Sequence, residues 1–134
     1  MNTHLHLNKL KRKISWLIAF TLITQFSFAT TYYSRTSGGY WNSNSTWSTV
    51  GYGIPVNTGT YPGGGDFVLI GNGYTTYLNV SATVSGITVG QGSSGILEIL
   101  DAGTFTLTVA GSVTINNGGK LWYNGNQSAH RNYL

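Results

Sequence analysis

Between residues 66 and 125 the sequence repeats one pattern three times. Each copy holds a short run of mostly β-branched residues that stops at a glycine or asparagine, at residues 67–70, 86–89 and 112–115. A second run follows in every copy, at residues 77–80, 96–99 and 120–123. The ends of the first runs lie 19 and 26 positions apart, and the leucines of the second runs lie 19 and 24 apart. A period in the twenties is typical of a solenoid, in which each copy forms one coil.

The alternation of apolar and polar residues predicts that the runs are β-strands with one buried face. Residues 105–109, Phe-Thr-Leu-Thr-Val, show this period of two, which places one set of side chains on one side of a strand. A single coil cannot bury its apolar side alone, but stacked coils can. We therefore expect two inward rows, one of Ile70, Val89 and Ile115 and one of Leu78, Leu97 and Leu121. The predicted fold is all-β: a short right-handed parallel β-helix of about three coils.

Glycine and asparagine occupy the places where such coils must turn. Gly71-Asn72-Gly73 and residues 116–119, Asn-Asn-Gly-Gly, supply residues that accept the positive φ angles of tight corners. The alternative is an antiparallel meander or sandwich, in which Asn72-Gly73 and Asn117-Gly118 form hairpin turns. The meander explains the turns equally well. It does not explain the regular spacing of the two rows, so we favour the solenoid.

The first 29 residues have the features of a signal peptide. Lys9, Lys11, Arg12 and Lys13 precede a mostly apolar stretch at residues 14–28, and Ser27-Phe28-Ala29 fits the recognition site of a signal peptidase. We predict cleavage after Ala29 and a secreted or cell-surface location. A retained transmembrane anchor is the alternative, but the apolar stretch is about 15 residues long and is interrupted by polar side chains, whereas a span needs about 20.

Removal of this leader leaves a chain without net charge. Four of the seven basic residues belong to the leader, so three basic and three acidic residues remain: Arg35, Lys120 and Arg131 against Asp66, Glu98 and Asp101. A chain without a basic patch has little with which to hold phosphates, which argues against nucleic-acid binding. The chain also has no cysteine. An exported domain without disulfides depends on packing or on metal ions, as is ordinary for bacterial exported proteins.

The segment 30–65 is rich in aromatic residues and glycine, and we expect it to precede the coils at 66–125 and an irregular tail at 126–134. Exposed aromatic rings stack on sugar rings, which makes Trp41, Trp47 and Trp122 the candidate glycan-binding residues. The other interpretation, which we favour for the rings at 40–52, is that they close the open end of the solenoid, where a bare coil would expose unpaired backbone. Glycans or cell-surface components are accordingly the expected partners.

No pattern in the sequence predicts catalysis, a cofactor or a metal site. Glu98 and Asp101 are the only neighbouring acidic residues, and we interpret them as surface charges rather than as a glycosidase pair. Asp66 offers one carboxylate where calcium takes 6 to 8 oxygens, so we expect it to cap a turn. His130 is the only histidine after the leader and has no acidic residue near it in sequence. The sequence thus indicates a protein that is not an enzyme.

Several short motifs together resemble those of G8-like domains. They are Trp41, Ser45-Thr46-Trp47, Gly53-Ile54-Pro55, residues 65–70, Gly73, Leu107-Thr108-Val109 and residues 118–121. In this order they are equally similar to the amino-terminal β-helix of large secreted surface proteins of Bacteroidetes-type bacteria. The resemblance covers about residues 31 to 125.

G8-like domains are extracellular β-rich modules, and some belong to proteins that act on or bind glycans. The resemblance therefore implies a non-catalytic scaffold or a weak carbohydrate-binding module. Two alternative interpretations remain. In the first, the chain is the amino-terminal fragment of a glycan-degrading enzyme whose active site lies elsewhere. In the second, it is a stalk segment of an adhesin. The bacterial relatives continue into further repeats, whereas this chain ends at Leu134, so truncation is part of the expectation.

Overall fold

The computed structural model describes residues 28–56, 58–100 and 104–124. These residues form strands and turns, with a single 3-10 turn at Asn44–Thr46 as the one helical element among them, so the all-β class is confirmed. The strands are β1 (Thr31–Ser34), β2 (Gly39–Tyr40), β3 (Trp47–Ser48), β4 (Phe67–Ile70), β5 (Thr75–Leu78), β6 (Ala82–Val84), β7 (Gly86–Val89), β8 (Ile96–Leu100), β9 (Leu107–Val109), β10 (Val113–Ile115) and β11 (Lys120–Asn124). The predicted leader up to residue 27, Asp101, His130 and the tail lie outside the described residues.

The strands pair in three sheets. Sheet A has the order β10-β7-β4-β1-β3, sheet B has the order β11-β8-β5-β2, and sheet C is the pair β6-β9. All these neighbours are parallel except β1 and β3, which are antiparallel. Strands from successive sequence repeats are therefore hydrogen-bonded side by side in the same direction. Such pairing excludes the antiparallel meander for these strands.

The register confirms the first predicted row and corrects the second. Ile70 pairs with Val89, and Val89 pairs with Ile115. In sheet B, Leu97 pairs with Leu121 as predicted, but its partner on β5 is Thr76, while Leu78 pairs with Ile99.

The length of the corners explains this error. Four residues, 71–74, join β4 to β5, and four, 116–119, join β10 to β11, but six, 90–95, join β7 to β8. The two extra residues displace the leucine of β8 relative to that of β5. Because the displacement is even, Leu78 still points to the buried face.

The core lies between the inner faces of the three sheets. Its aliphatic side chains, all at most 3% exposed, are Val68, Ile70, Ile87 and Val89 from sheet A, Leu78 and Leu97 from sheet B, and Val84 from sheet C. Each of these is an inward position in the alternating strand pattern. Burial of these apolar side chains holds the sheets together, since each contributes about 1.5 to 3 kcal/mol.

Side-chain amides connect successive corners. The backbone N–H of Asn72 donates to Gln91 Oε1 at 3.0 Å, and the N–H of Gln91 donates to Asn72 Oδ1 at 2.8 Å. The neighbouring Gly90 has a φ of +87°, and a Cβ there would lie 2.8 Å from the carbonyl oxygen of Ser94. Glycine is therefore required at residue 90, where the backbone of the corner 90–95 folds back on itself.

A cluster of aromatic rings covers the amino-terminal end of the stack. Trp41 and Trp47 are fully buried, and their rings meet edge to face at 5.1 Å. Both indole N–H groups donate to backbone carbonyls, that of Trp41 to Pro62 O at 3.1 Å and that of Trp47 to Trp41 O at 2.7 Å. The antiparallel strand β3 closes sheet A at the same end. This arrangement agrees with the capping interpretation of the aromatic segment.

The opposite end of the described chain is open. There β9, β10 and β11 are the outermost strands of their sheets. Ile115 and Leu121 are 48% and 45% exposed, although their register partners one strand inward, Val89 and Leu97, are fully buried. Inward-facing side chains are thus covered on one side only at this end.

Candidate functional site

The outer face of sheet B carries a row of large side chains that crosses all four strands. Tyr40 pairs with Tyr77, Tyr77 with Glu98, and Glu98 with Trp122. We call these four residues the outer row. Neighbouring strands are about 4.8 Å apart, so the row is about 14 Å long. Tyr40 and Trp122, at its two ends, are 52% and 55% exposed, and Tyr77 and Glu98 are half-buried between them.

The period of two explains why these side chains face solvent. Thr76 and Leu97 are the residues before Tyr77 and Glu98, and both are fully buried. Successive side chains of a strand point to opposite faces, so the residue after each buried one points outward. Trp122 follows Leu121 in the same way, and Tyr40 immediately precedes the buried Trp41.

The row combines aromatic rings with one carboxylate. The rings of Tyr40 and Tyr77 lie 5.8 Å apart with an angle of 45° between their planes, so they form a tilted pair at one end. Trp122 stands at the other end, and Glu98 lies between the two groups. Flat apolar rings bind the apolar faces of ligands, whereas the carboxylate accepts hydrogen bonds from hydroxyl or amide groups.

Asparagine side chains border the row. Asn124 Nδ2 donates to Glu98 Oε1 at 2.9 Å, which orients the carboxylate. Asn79 Nδ2 donates to Asn42 Oδ1 at 3.0 Å. Asn124 follows Trp122 by two positions on β11 and therefore lies on the same face of that strand, and Asn79 directly follows β5. The outer face thus presents aromatic, carboxylate and amide groups side by side.

The three tryptophans that the sequence analysis proposed as glycan-binding residues lie in two different environments. Trp122 is exposed and belongs to the outer row, whereas Trp41 and Trp47 have no exposed surface. A stacking role does not fit Trp41 and Trp47, because a ring that is covered on both faces has none to offer a ligand. Their aromatic character serves the amino-terminal cap instead.

Sequence reasoning missed Tyr40, Tyr77 and Glu98 as members of one site. The alternation marks all three as outward positions once the strands are assigned. Their alignment with Trp122 was hidden by the longer corner at residues 90–95, which also displaced the predicted leucine row. The row can be identified in the sequence when positions are counted from the inward residues of each strand instead of from the repeated leucines.

Asp66, the other acidic residue of the described part, is used in a turn. Its Oδ1 accepts from the backbone N–H of Thr30 at 3.0 Å, and its Oδ2 accepts from that of Gly63 at 2.9 Å. The predicted turn-capping role of Asp66 is therefore confirmed. Within residues 28–56, 58–100 and 104–124, no group of three or more histidine, cysteine or acidic side chains is placed to hold a metal ion.

A shallow groove of about 250 Å³ lies on the outer face of sheet A. Phe67 lines it and lies against Gly86, where a Cβ would come within 2.9 Å of the phenyl ring. The remaining lining residues are Thr31, Val68, Leu69, Ile87, Thr88 and Ser112, none of which titrates near neutral pH. The groove has apolar and hydroxyl groups but no general acid or base.

Comparison of the chain with protein-family models, with curated proteins and with solved structures finds no match. The resemblance to G8-like domains accordingly remains a prediction from the sequence. In the part of the chain that the structure describes, no helix has the length and hydrophobicity needed to cross a bilayer.

Proposed function

We propose that this chain is an exported, non-catalytic β-solenoid module. In this proposal the three sheets are the walls of a short right-handed parallel β-helix of about three coils, preceded by a signal peptide and an aromatic cap. The observation that supports it most strongly is the parallel register of strands from successive repeats, with Ile70 beside Val89 and Val89 beside Ile115. The resemblance to G8-like domains points to the same architecture.

The module acts as a scaffold that binds carbohydrate weakly, on or released from a bacterial cell surface. Trp122 and the outer row support the binding role, because they form an exposed aromatic surface with a hydrogen-bonding group in its middle. The signal peptide predicted at residues 1–29 supports the location.

Among the residues that the structure describes, the placement of the two acidic groups favours binding over turnover. Hydrolysis of a glycosidic bond ordinarily uses two carboxyl groups about 5 to 9.5 Å apart, on either side of the bond. Asp66 directly precedes β4 of sheet A and is committed to its turn, whereas Glu98 lies on β8 of sheet B. These two carboxylates therefore belong to different walls of the stack.

Two assays on the exported protein test this function. We expect a polysaccharide embedded in a native gel to retard the protein, and we expect no reducing sugar to be released from the same polysaccharide. Release of reducing sugar by this chain alone would overturn the non-catalytic role and favour the glycan-degrading alternative. Retardation by none of a broad set of polysaccharides would remove the carbohydrate-binding role and leave the scaffold.

A further inference from the structure

We infer that the outer row is a track for one linear, neutral polysaccharide chain that runs across the strands. The inference rests on the proposed carbohydrate-binding function and adds the residues, the direction of the ligand and its charge class. It extends the site from Trp122 alone to Tyr40, Tyr77 and Glu98.

The length and direction of the row determine the shape of the ligand. Four side chains at intervals of about 4.8 Å form a strip of about 14 Å, which is longer than a single sugar ring. The strip is one side chain wide and runs perpendicular to β2, β5, β8 and β11. An extended oligosaccharide matches this shape, because its rings follow one another along a line.

The order of groups along the row fits alternating sugar contacts. Pyranose rings have apolar faces of C–H groups and a rim of hydroxyl groups. The tilted pair of Tyr40 and Tyr77 at one end and Trp122 at the other supply surfaces for such apolar faces. Glu98 lies between them, where its carboxylate accepts hydrogen bonds from the hydroxyl rim, and Asn124 holds it in place at 2.9 Å.

The charge of the row selects against acidic sugars. Glu98 is at the centre of the row, so a uronic-acid unit would bring a second carboxylate close to it, and like charges at short distance repel. Hydroxyl groups, by contrast, donate to the carboxylate. The exposed Lys120, two residues before Trp122, lies beside the row rather than in it. The chemistry therefore favours a neutral glycan.

Two other aromatic groups of the described chain fit this role less well. The rings of Trp41 and Trp47 are covered, and the groove beside Phe67 has neither a charged group nor an amide side chain on its lining. The outer row alone among these combines exposed rings with a charged hydrogen-bond acceptor.

Binding of defined oligosaccharides measured by calorimetry tests the track. The probes are size series of cello-, manno- and xylo-oligosaccharides, with oligogalacturonates as the acidic comparison. We expect at least one neutral series to bind, with an affinity that rises with chain length until the row is filled. Oligogalacturonates are expected to bind at least fivefold more weakly, because their carboxylates meet the like charge of Glu98.

Single substitutions locate the binding. Trp122→Ala and Tyr40→Ala are each expected to weaken the neutral ligand at least fivefold, because each removes a ring against which the apolar face of a sugar packs. Phe67→Ala, an exposed aromatic residue on the outer face of sheet A, is the control and is expected to leave affinity unchanged. Glu98→Gln is expected to reduce the discrimination against oligogalacturonates. Circular dichroism verifies that each variant is folded.

Each result decides between the inferences. If the protein binds a glycan but the two outer-row variants bind as well as the wild type, the track is wrong while the proposed function stands. Affinity that is independent of chain length, or a preference for oligogalacturonates, would also overturn the track. If the folded protein binds none of the probes, the track is overturned, and the gel-retardation assay on the broad set of polysaccharides decides whether the carbohydrate-binding role stands.

Discussion

Thr76 is the residue at which a single substitution tests the packing of the interior. It is fully buried on β5, where it pairs with Leu97 on β8. Its hydroxyl is the one buried side-chain polar atom without a hydrogen-bond partner among the described residues. The hydroxyl therefore lies in an apolar row without the hydrogen bonds that it makes to water in the unfolded chain.

Thr76→Val is expected to stabilise the protein by about 1 to 2 kcal/mol. An unsatisfied buried polar group costs about 1 to 3 kcal/mol, and valine removes it while keeping the β-branched shape that suits a strand. The lower part of that range is appropriate, because a hydroxyl oxygen in an apolar interior still makes weak C–H···O contacts. For a domain of about 100 residues the change corresponds to an increase in Tm of roughly 4 to 16 °C.

Thermal unfolding followed by circular dichroism measures the effect. Thr83→Val is the matched control, since Thr83 is also on a strand but is exposed, and we expect its Tm to change by no more than roughly 2 to 4 °C. An unchanged or lower Tm for Thr76→Val, with an unchanged control, would refute the argument that the hydroxyl is buried without a partner.

Two further predictions concern the strand register and alkaline pH. Cysteines introduced together at Thr88 and Thr114, which pair across β7 and β10, are expected to form a disulfide under mild oxidation. The control pair, Thr88→Cys with Thr108→Cys on sheet C, is not expected to form one. Mass spectrometry distinguishes the two results, and the reverse outcome would contradict the register. Burial, and secondarily the charge of Asp66, raises the pKa of Tyr32 above 10.0. The neutral hydroxyl therefore contributes its full stability below about pH 10, and this stability is lost as the pH rises through the raised pKa. Tm measured across that range is expected to fall less steeply for Tyr32→Phe, and equal slopes would count against the burial.

Much of this fold is predictable because apolar alternation and turn residues act locally. Glycine and asparagine mark the corners, and the inward row of Ile70, Val89 and Ile115 follows from spacing alone. The register partner of Leu78 does not follow from the spacing, because the glycine and asparagine residues of the corners are equally compatible with a corner of four residues and with one of six. Register across a longer corner depends on how neighbouring corners bond, as Asn72 and Gln91 do.

The candidate site was less predictable for a related reason. Tyr40 and Trp41 are adjacent large aromatic residues, yet Tyr40 is 52% exposed and Trp41 is fully buried. The difference arises when a distant segment covers Trp41, whose indole N–H donates to Pro62 O. Contacts over this sequence distance are not visible in a local pattern, so the sequence grouped all the tryptophans as one kind of residue.

The separation of the tryptophans also equips the protein with its own optical reporters. After the predicted leader is removed, three indoles remain, two sealed inside the cap and one, Trp122, in contact with solvent. Iodide should quench the emission of the exposed indole and spare the blue-shifted emission of the sealed pair. A sugar that settles on Trp122 would then protect it from iodide, while loosening of the cap would shift the other two to longer wavelengths. Ligand occupancy and structural integrity become two distinguishable signals from one unlabelled sample.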